Sequence, residues 1–272
     1  MTILLPTNTF SHYITINANA FGKVKIMIIS DNEQLDDLQI NGLKIIQKKD
    51  GFKFGTDAVL LSDFARDIHS DCTLDLCSGS GIIPLLLSAK TSAKVIYGVE
   101  IQSEIAKTAK RSVELNNLSD RIFIHCGDLK DAVSHYGKRR FDLITCNPPY
   151  MKAGAALLNE NNSKIISRHE VLCTLEDIVK VSSKLISLTG HLVMVHRPSR
   201  LCDLIYLMRK YDIEPKRLRF IHKNQTQAPM LFLIDGLYKG KSDINILPPL
   251  YLYDKNGEET AELKHIYQRS EN

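Results

Sequence analysis

The sequence lacks several features that would define a class of protein. It has no tryptophan, and its six cysteines include no Cys-x-x-Cys pair, the nearest two being Cys72 and Cys77. This spacing argues against a structural zinc site and is typical of free thiols in a reducing compartment. No apolar run approaches the roughly 20 residues of a membrane-spanning helix, and the first thirty residues lack the pattern of a secretory signal. We therefore expect a cytoplasmic protein without a metal or a membrane anchor.

The length of 272 residues is enough for one large domain with a substantial core. We expect this domain at residues 31–240, an N-terminal extension without a fold of its own at 1–30, and a charged C-terminal tail at 241–272. The extension is inferred because Met27 opens a segment that would make a natural start. The formal net charge of +4 permits a polyanionic partner without requiring one.

The clearest local pattern is a strand, a glycine-containing turn and a helix. Residues 72–76 read as a buried strand, residues 77–81 (Cys-Ser-Gly-Ser-Gly) as a turn, and residues 82–90 as a helix. Glycines let a ligand approach the backbone, and a helix N-terminus offers free N–H groups, so this arrangement favours nucleotide binding. Pro84 stands where the dinucleotide fingerprint has a third small residue, which argues against a pyrophosphate site.

Polar residues follow the next three predicted strands. These strands lead to Glu100, to Asp128 and to residues 147–150. An acid after the second strand of such a unit is the usual partner of a ribose diol. The carboxyl ends of parallel strands meet at one edge of a sheet, where ligands bind in a crevice. We therefore expect Asp75, Glu100, Asp128 and residues 147–150 to converge.

The segment Asn147-Pro148-Pro149-Tyr150 is unusually stiff for a turn. Each proline has a restricted φ and supplies no N–H donor, while the Asn147 amide can both accept and donate a hydrogen bond. Tyr150 adds an aromatic face. These groups suit the binding of a planar amine by its two N–H groups while its ring stacks on the tyrosine, although an Asn-Pro turn that closes a strand is the plainer interpretation.

Hydrophobic periodicity predicts the remaining elements. Further strands are expected at 43–46, 94–99, 121–126, 141–145, 191–196, 216–222 and 230–234, and further helices at 58–65, 175–187 and 201–210. Thr56 or Asp57 is placed to cap the helix at 58–65. A helix after Glu100 is expected to bury one apolar stripe, made of Ile101, Ile105, Ala109 and Val113.

The chain resembles a known family. The segment 75–81 (Asp-Leu-Cys-Ser-Gly-Ser-Gly), Glu100, Asp128 and residues 147–150 are similar to the ordered motifs of class I methyltransferases that modify planar nitrogens. The likeness to the bacterial tRNA1(Val) adenine N6-methyltransferase family is closer, and extends over about 32–267. It is carried by the segments 35–38, 52–61, 168–170, 196–198 and 214–218.

This resemblance implies an α/β fold of the Rossmann-like class I methyltransferase type, with a seven-stranded, mostly parallel sheet and an antiparallel strand near the C-terminus. It implies S-adenosylmethionine as the cofactor and tRNA as the partner, methylated at N6 of the adenine beside the anticodon of a valine tRNA. The residues implied to bind the cofactor are Thr56, Asp57, Asp75, Cys77, Gly79, Gly81, Glu100, Asp128 and Asn147. Those implied to be catalytic are Asn147, Pro148, Pro149 and Tyr150.

Individual roles follow from the same resemblance. The turn at 77–81 would pass under the methionine part of the cofactor, and Asp75 would orient that turn or the amino group. Glu100 would hold the ribose hydroxyls, and Asp128 would meet the adenine amino group. Asn147 and the carbonyl of Pro148 would bind the target amine, and Tyr150 would stack on the base.

Three alternatives stay open. The nearest is another amine target, either guanine N2 in ribosomal RNA or a glutamine amide in a protein. An NAD-dependent oxidoreductase is disfavoured by Pro84, and a non-catalytic RNA-binding protein would not need acids at three strand ends. The sequence does not determine the oligomeric state, for which a monomer is the expectation.

Overall fold

The computed structural model describes residues 2–3, 13–18, 24–49, 55–149 and 173–268. Its strands, numbered in chain order, are β1 (Thr2–Ile3), β2 (Tyr13–Ala18), β3 (Val24–Ile29), β4 (Glu33–Asp37), β5 (Lys44–Lys48), β6 (Cys72–Leu76), β7 (Val95–Glu100), β8 (Ile122–Cys126), β9 (Phe141–Cys146), β10 (Ile186–His196), β11 (Ile213–His222), β12 (Pro229–Tyr238), β13 (Asn245–Ile246) and β14 (Leu250–Tyr251). Its helices are α1 (Thr56–Phe64), α2 (Ile82–Lys90), α3 (Ser103–Leu115), α4 (Ala132–Tyr136), α5 (Leu175–Leu185), α6 (Leu201–Lys210) and α7 (Ala261–Ile266).

The central sheet has the strand order β8-β7-β6-β9-β10-β12-β11. The first five of these strands are parallel, and β12 is antiparallel to both of its neighbours. The expected seven-stranded, mostly parallel sheet with an antiparallel strand near the C-terminus is therefore confirmed. The short strands β13 and β14 add to it by pairing with β11.

Helices cover both faces of the sheet, and the middle strands are therefore buried on both sides. Leu143 and Ile144 are adjacent in β9 and fully buried, yet they belong to two different core clusters. Successive strand residues point to opposite faces, so each cluster lies on one side of the sheet. No helix in the described ranges combines the length and apolar character that a membrane crossing requires.

Two expectations about helices need correction. The predicted stripe of α3 is right for Ala109 and Val113, which are buried, whereas Ile105 is half-buried and Ile101 is 37% exposed. Ile101 is excluded from the stripe because α3 begins later, at Ser103.

The start of α1 also differs from the prediction. Its N-cap is Gly55, so Thr56 and Asp57 lie inside the first turn rather than before it. Asp57 Oδ1 accepts from the N–H of Ala58 at 3.0 Å, and no side chain of the described residues caps the helix. The expectation that Thr56 or Asp57 is the N-cap is therefore wrong.

The N-terminal part contains more strands than expected. Strands β2 and β3 pair antiparallel, so the described part of 1–30 is not without structure, although the domain boundaries stay a prediction. Strands β4 and β5 form a hairpin, in which the strand predicted at 43–46 is β5. The hairpin is tied to α3 because Ile46 N–H donates to Ser112 Oγ at 3.0 Å and Lys44 N–H donates to Asn116 Oδ1 at 2.9 Å.

The segment expected as a C-terminal tail is part of the folded structure. Its apolar residues Leu250, Leu252, Leu263 and Ile266 are buried in the same cluster as α1 and α2. The Thr260 side chain accepts from Leu263 N–H and caps α7. Residues 245–268 therefore pack on the α1 side of the sheet rather than extending away from it.

Candidate functional site

Four neighbouring parallel strands end at the same level of the sheet. Leu76 in β6 is in register with both Val99 in β7 and Cys146 in β9. In β7, Glu100 pairs in turn with Cys126, the last residue of β8. Those of the expected strand-end residues that the structure describes therefore share one edge, as predicted from chain order.

The turn after β6 carries an unusual backbone. Cys77, Gly79 and Gly81 have φ values of 58°, 54° and 80°, all in the left-handed region that glycine tolerates best. No atom of the described residues lies within 4 Å of a Cβ added at Gly79. Gly81 is the N-cap of α2, which has no side-chain cap among these residues. The turn thus combines open space with a helix N-terminus, the combination that binds polar ligands through the backbone.

The Glu100 carboxylate is held by backbone N–H groups from two directions. Its Oε2 accepts from Gly79 N–H at 2.9 Å, and its Oε1 accepts from Gln102 N–H at 2.9 Å. Glu100 is only 5% exposed. Each oxygen of an ionised carboxylate has a further lone pair, so the group can still accept from a pair of hydroxyls.

Asp75 is completely buried in β6 next to the glycine turn. Its Oδ1 accepts from Thr145 Oγ1 at 2.7 Å, whereas its Oδ2 has no hydrogen-bond partner among the described residues. The pKa of Asp75 is raised from 3.8 to about 7, mainly by burial and to a smaller extent by the nearby Glu100 charge, while hydrogen bonding to the Thr145 and Ser78 side chains opposes the rise. An unpaired buried oxygen of this kind suits a cationic donor.

Gly98 is a site residue that the sequence analysis missed. A Cβ at Gly98 in β7 would lie 2.6 Å from Ser78 Oγ and 2.8 Å from Ile124 Cδ1. Ser78 belongs to the glycine turn, so the absence of a side chain at Gly98 leaves the space above the sheet that the turn occupies. An isolated glycine inside a predicted strand was the available signal, since it indicates close approach of another group.

Asp128 follows β8 at the same edge. It is half-buried, and its Oδ1 accepts from Lys130 N–H at 2.9 Å, which makes it the N-cap of a 3-10 turn at Leu129–Asp131. No hydrogen bond to its other oxygen, Oδ2, is made within the described part of the chain, so that oxygen could accept from a ligand amine. The position thus agrees with the expectation, and the cofactor contact itself stays a prediction.

The stiff turn after β9 lies beside the glycine turn. Asn147 is half-buried, Pro148 is buried and Pro149 is exposed. Because Leu76 and Cys146 are paired, Cys77 and Asn147 leave the sheet side by side. Tyr150 lies outside the described residues, as does the motif at 168–170.

The thiol of Cys77 interacts with the neighbouring thiols of Cys146 and Cys173. The Cys146 thiol beside it is the main cause that raises the pKa of Cys77 well above its usual value. Burial likewise raises the pKa of Cys146. These thiols are protonated at neutral pH, so Cys77 is expected to reach a cofactor through its backbone. The described residues contain no group of three or more side chains arranged to hold a metal ion.

Thr56 and Asp57 lie at the same end of the molecule as the glycine turn. Helices α1 and α2 pack side by side, and Asp63 near the end of α1 pairs with Lys90 at the end of α2 at 3.3 Å. The two helices therefore run in the same direction, and α2 begins directly after Gly81. The start of α1 is consequently near the strand ends that carry the other expected residues.

Comparison with known proteins gives consistent matches. The profile of the family described as methyltransferase small domain matches residues 40–203. A protein from Porphyromonas gingivalis named tRNA1(Val) (adenine(37)-N6)-methyltransferase is 34% identical over 188 residues, 66% of this chain and 72% of that protein. A protein of the same name from Actinobacillus succinogenes is 29% identical over 171 residues, 61% of this chain and 71% of that protein.

A solved structure shares the fold. A predicted O-methyltransferase from Agrobacterium tumefaciens matches with a TM-score of 0.64 at 20% identity, over 79% of this chain and 98% of that chain. At this identity the likeness bears on architecture alone, and it agrees with the sheet order described above.

Proposed function

The chain belongs to the methyltransferase small domain family, and we propose that it transfers the methyl group of S-adenosylmethionine to the N6 amine of an adenine in tRNA. The relatives from P. gingivalis and A. succinogenes carry that activity in their names and support adenine 37 of tRNA1(Val) as the target. The observation that carries the proposal is the meeting of Asp75, Gly79, Glu100 and Asn147 at one sheet edge. We infer that the reaction takes place in the cytoplasm and that the enzyme is a monomer without a metal.

The residues at this edge fit the cofactor. The open space at Gly79 leaves room for a ligand against the backbone, and the Glu100 carboxylate retains acceptor capacity for the ribose hydroxyls. Asp75 Oδ2, which has no hydrogen-bond partner among the described residues, could accept from the amino group of the methionine part, or Asp75 could act by orienting the turn. When bound, S-adenosylmethionine supplies a methyl group already activated by its sulfonium.

The contribution of the chain is to hold the acceptor nitrogen and to stabilise its changing charge. The lone pair of an adenine amine is delocalised into the ring, which makes the nitrogen a poor nucleophile. Asn147 and the Pro148 carbonyl would accept hydrogen bonds from the two N–H groups of the amine. These bonds would favour a pyramidal nitrogen and would strengthen as the nitrogen becomes cationic. The amine does not need to lose a proton before it attacks the methyl group. Aligned binding of the two reactants can lower the activation barrier by roughly 7–11 kcal/mol.

Access to the base requires it to leave its stack. A flipped adenine is read in a pocket by its edge and by aromatic stacking, which is the role proposed for Tyr150. Such stacking is worth about 1–3 kcal/mol per base, comparable with the stacking lost in the loop.

The substrate can be tested directly. We expect nucleoside mass spectrometry to show loss of N6-methyladenosine from one valine tRNA in cells that lack the gene, and purified protein to methylate an unmodified tRNA1(Val) transcript. A transcript with guanine in place of adenine 37 should not react. Methylation of that variant would favour a guanine N2 target, and reaction with a protein in place of RNA would favour a glutamine amide.

A further inference from the structure

The C-terminal helix α7 is fastened to the end of α1 by a buried lysine. The Lys90 side chain is 2% exposed, donates to the carbonyl of Ile266 at 2.8 Å and pairs with Asp63 at 3.3 Å. Ile266 and Leu263 bury their side chains in the core cluster that contains α1 and α2. Residues of α7 are thus held in place from the side away from the strand ends.

The next residue, Tyr267, contacts the opposite end of α1. Its Oη donates to Oγ1 of Thr56, the first residue of α1, at 3.3 Å. Tyr267 is half-buried and its ring packs against the core. The C-terminal segment is therefore linked to both ends of α1, to Asp63 through Lys90 and to Thr56 through Tyr267.

The Tyr267 bond affects how Thr56 can bind a ligand. A hydroxyl has one proton to donate and two lone pairs, so accepting from Tyr267 occupies one lone pair and directs the Thr56 proton elsewhere. With Gly55 as N-cap, no side chain of the described residues caps α1. The start of α1 therefore offers an oriented O–H group beside N–H groups, an arrangement that suits a carboxylate.

We propose that Tyr267 is a positioning residue for S-adenosylmethionine: its hydroxyl fixes Thr56 so that Thr56 donates to the carboxylate of the methionine part. This inference rests on the proposed function, in particular on Thr56 as a cofactor-binding residue. It assigns a role in cofactor binding to a residue more than two hundred positions away from α1 in the sequence, in the segment that was expected to be a tail.

The test is a double-mutant cycle on cofactor affinity, measured by calorimetry with the full-length protein. Tyr267→Phe removes one hydroxyl and Thr56→Val removes its partner. We expect each single variant to weaken S-adenosylmethionine binding by up to about tenfold, the size of one hydrogen bond. The double variant should bind S-adenosylmethionine no more weakly than Thr56→Val alone, because the Tyr267 hydroxyl acts through Thr56. In steady-state methyl transfer, Tyr267→Phe should raise the KM for S-adenosylmethionine by a larger factor than it lowers kcat.

Two controls separate positioning from folding. Tyr253→Phe changes another half-buried tyrosine of the same segment, whose hydroxyl has no hydrogen-bond partner among the described residues, and should leave affinity unchanged. Thr56→Ser keeps the hydroxyl and should retain binding. Unchanged affinity in Tyr267→Phe, or losses that add in the double variant, would overturn the inference. A wild-type protein that does not bind the cofactor would instead overturn the proposed function.

Discussion

The N–H of Gly79 donates to Oε2 of Glu100 at 2.9 Å, and this bond joins the glycine turn after β6 to the acid that ends β7. The other oxygen of the same carboxylate accepts from Gln102 N–H at the start of α3. One side chain therefore holds the turn and the next helix start together. The group expected to meet the ribose is the same group that shapes the cofactor turn.

A change from Glu100 to Gln should weaken cofactor binding more than the loss of a ribose contact alone. Glutamine offers a single carbonyl oxygen, so one of the two N–H groups at Gly79 and Gln102 loses its acceptor. An unsatisfied buried donor costs about 1–3 kcal/mol. We expect affinity for S-adenosylmethionine, measured by calorimetry, to fall by at least about tenfold.

A matched control for this change is available in α3. Glu104 is exposed and pairs with Lys107 at 2.8 Å, so Glu104→Gln should leave cofactor affinity unchanged. Retention of wild-type affinity in Glu100→Gln would mean that this carboxylate neither holds the turn nor meets the ligand.

Replacement of Asn147 by Ala should abolish turnover while leaving cofactor binding nearly intact. The alanine cannot accept from the target amine, and loss of one preorganised polar group at a reacting centre typically costs 10²–10³-fold in rate. Methyl transfer to tRNA and calorimetry with the cofactor provide the two readouts. Asn245→Ala, at an exposed position in β13, is the control. Reduced cofactor affinity with retained turnover would refute the assigned role.

Introduction of a methyl group at Gly98 should displace the glycine turn. The added carbon would lie 2.6 Å from Ser78 Oγ and 2.8 Å from Ile124 Cδ1, and overpacking of this kind costs about 1–3 kcal/mol. We expect Gly98→Ala to lower both the melting temperature and cofactor affinity. Addition of Ser78→Ala and Ile124→Val should restore part of both, since they remove the two atoms in conflict. A Gly98→Ala protein with wild-type affinity would show that the turn tolerates the shift.

Stability should depend on pH through Asp75. The pKa of Asp75 is about 7 in the folded protein and 3.8 in the unfolded chain. The contribution of Asp75 to the free energy of unfolding is therefore intact at pH values below both pKa values, and it is lost as the pH rises towards 7. Each pH unit between the two values costs about 1.4 kcal/mol. Relative to Asp75→Asn, the wild type should therefore lose several kcal/mol between pH 4 and 7, then change no further.

Denaturant unfolding of both proteins across this pH range measures the difference. The asparagine keeps an oxygen that can accept from Thr145, so the comparison isolates the titrating group. A stability difference that does not vary with pH would show that Asp75 titrates normally. Added S-adenosylmethionine should reduce the loss near pH 7, because a cationic amino group favours the ionised carboxylate.

Elements with strong local signals were predicted to the residue. The bounds of β6, α2 and α6 agree with the expected ranges 72–76, 82–90 and 201–210. A glycine immediately before an apolar run marks the start of α2, and a proline and two arginines just before the apolar residues mark the start of α6. The polar strand β4 was missed because a strand with half-exposed, charged residues has no apolar period to detect.

The order of the motifs along the chain was sufficient to identify the fold and to place the acids and the Asn-Pro-Pro turn at one sheet edge, because parallel strands joined by helices must end together. Contacts between distant side chains could not be obtained in this way. Thr145 and Asp75 are 70 positions apart, and Tyr267 and Thr56 are 211 apart. Such pairs depend on strand register and on how the C-terminal segment returns over α1, and neither is encoded in local periodicity, which is why these contacts required the three-dimensional structure.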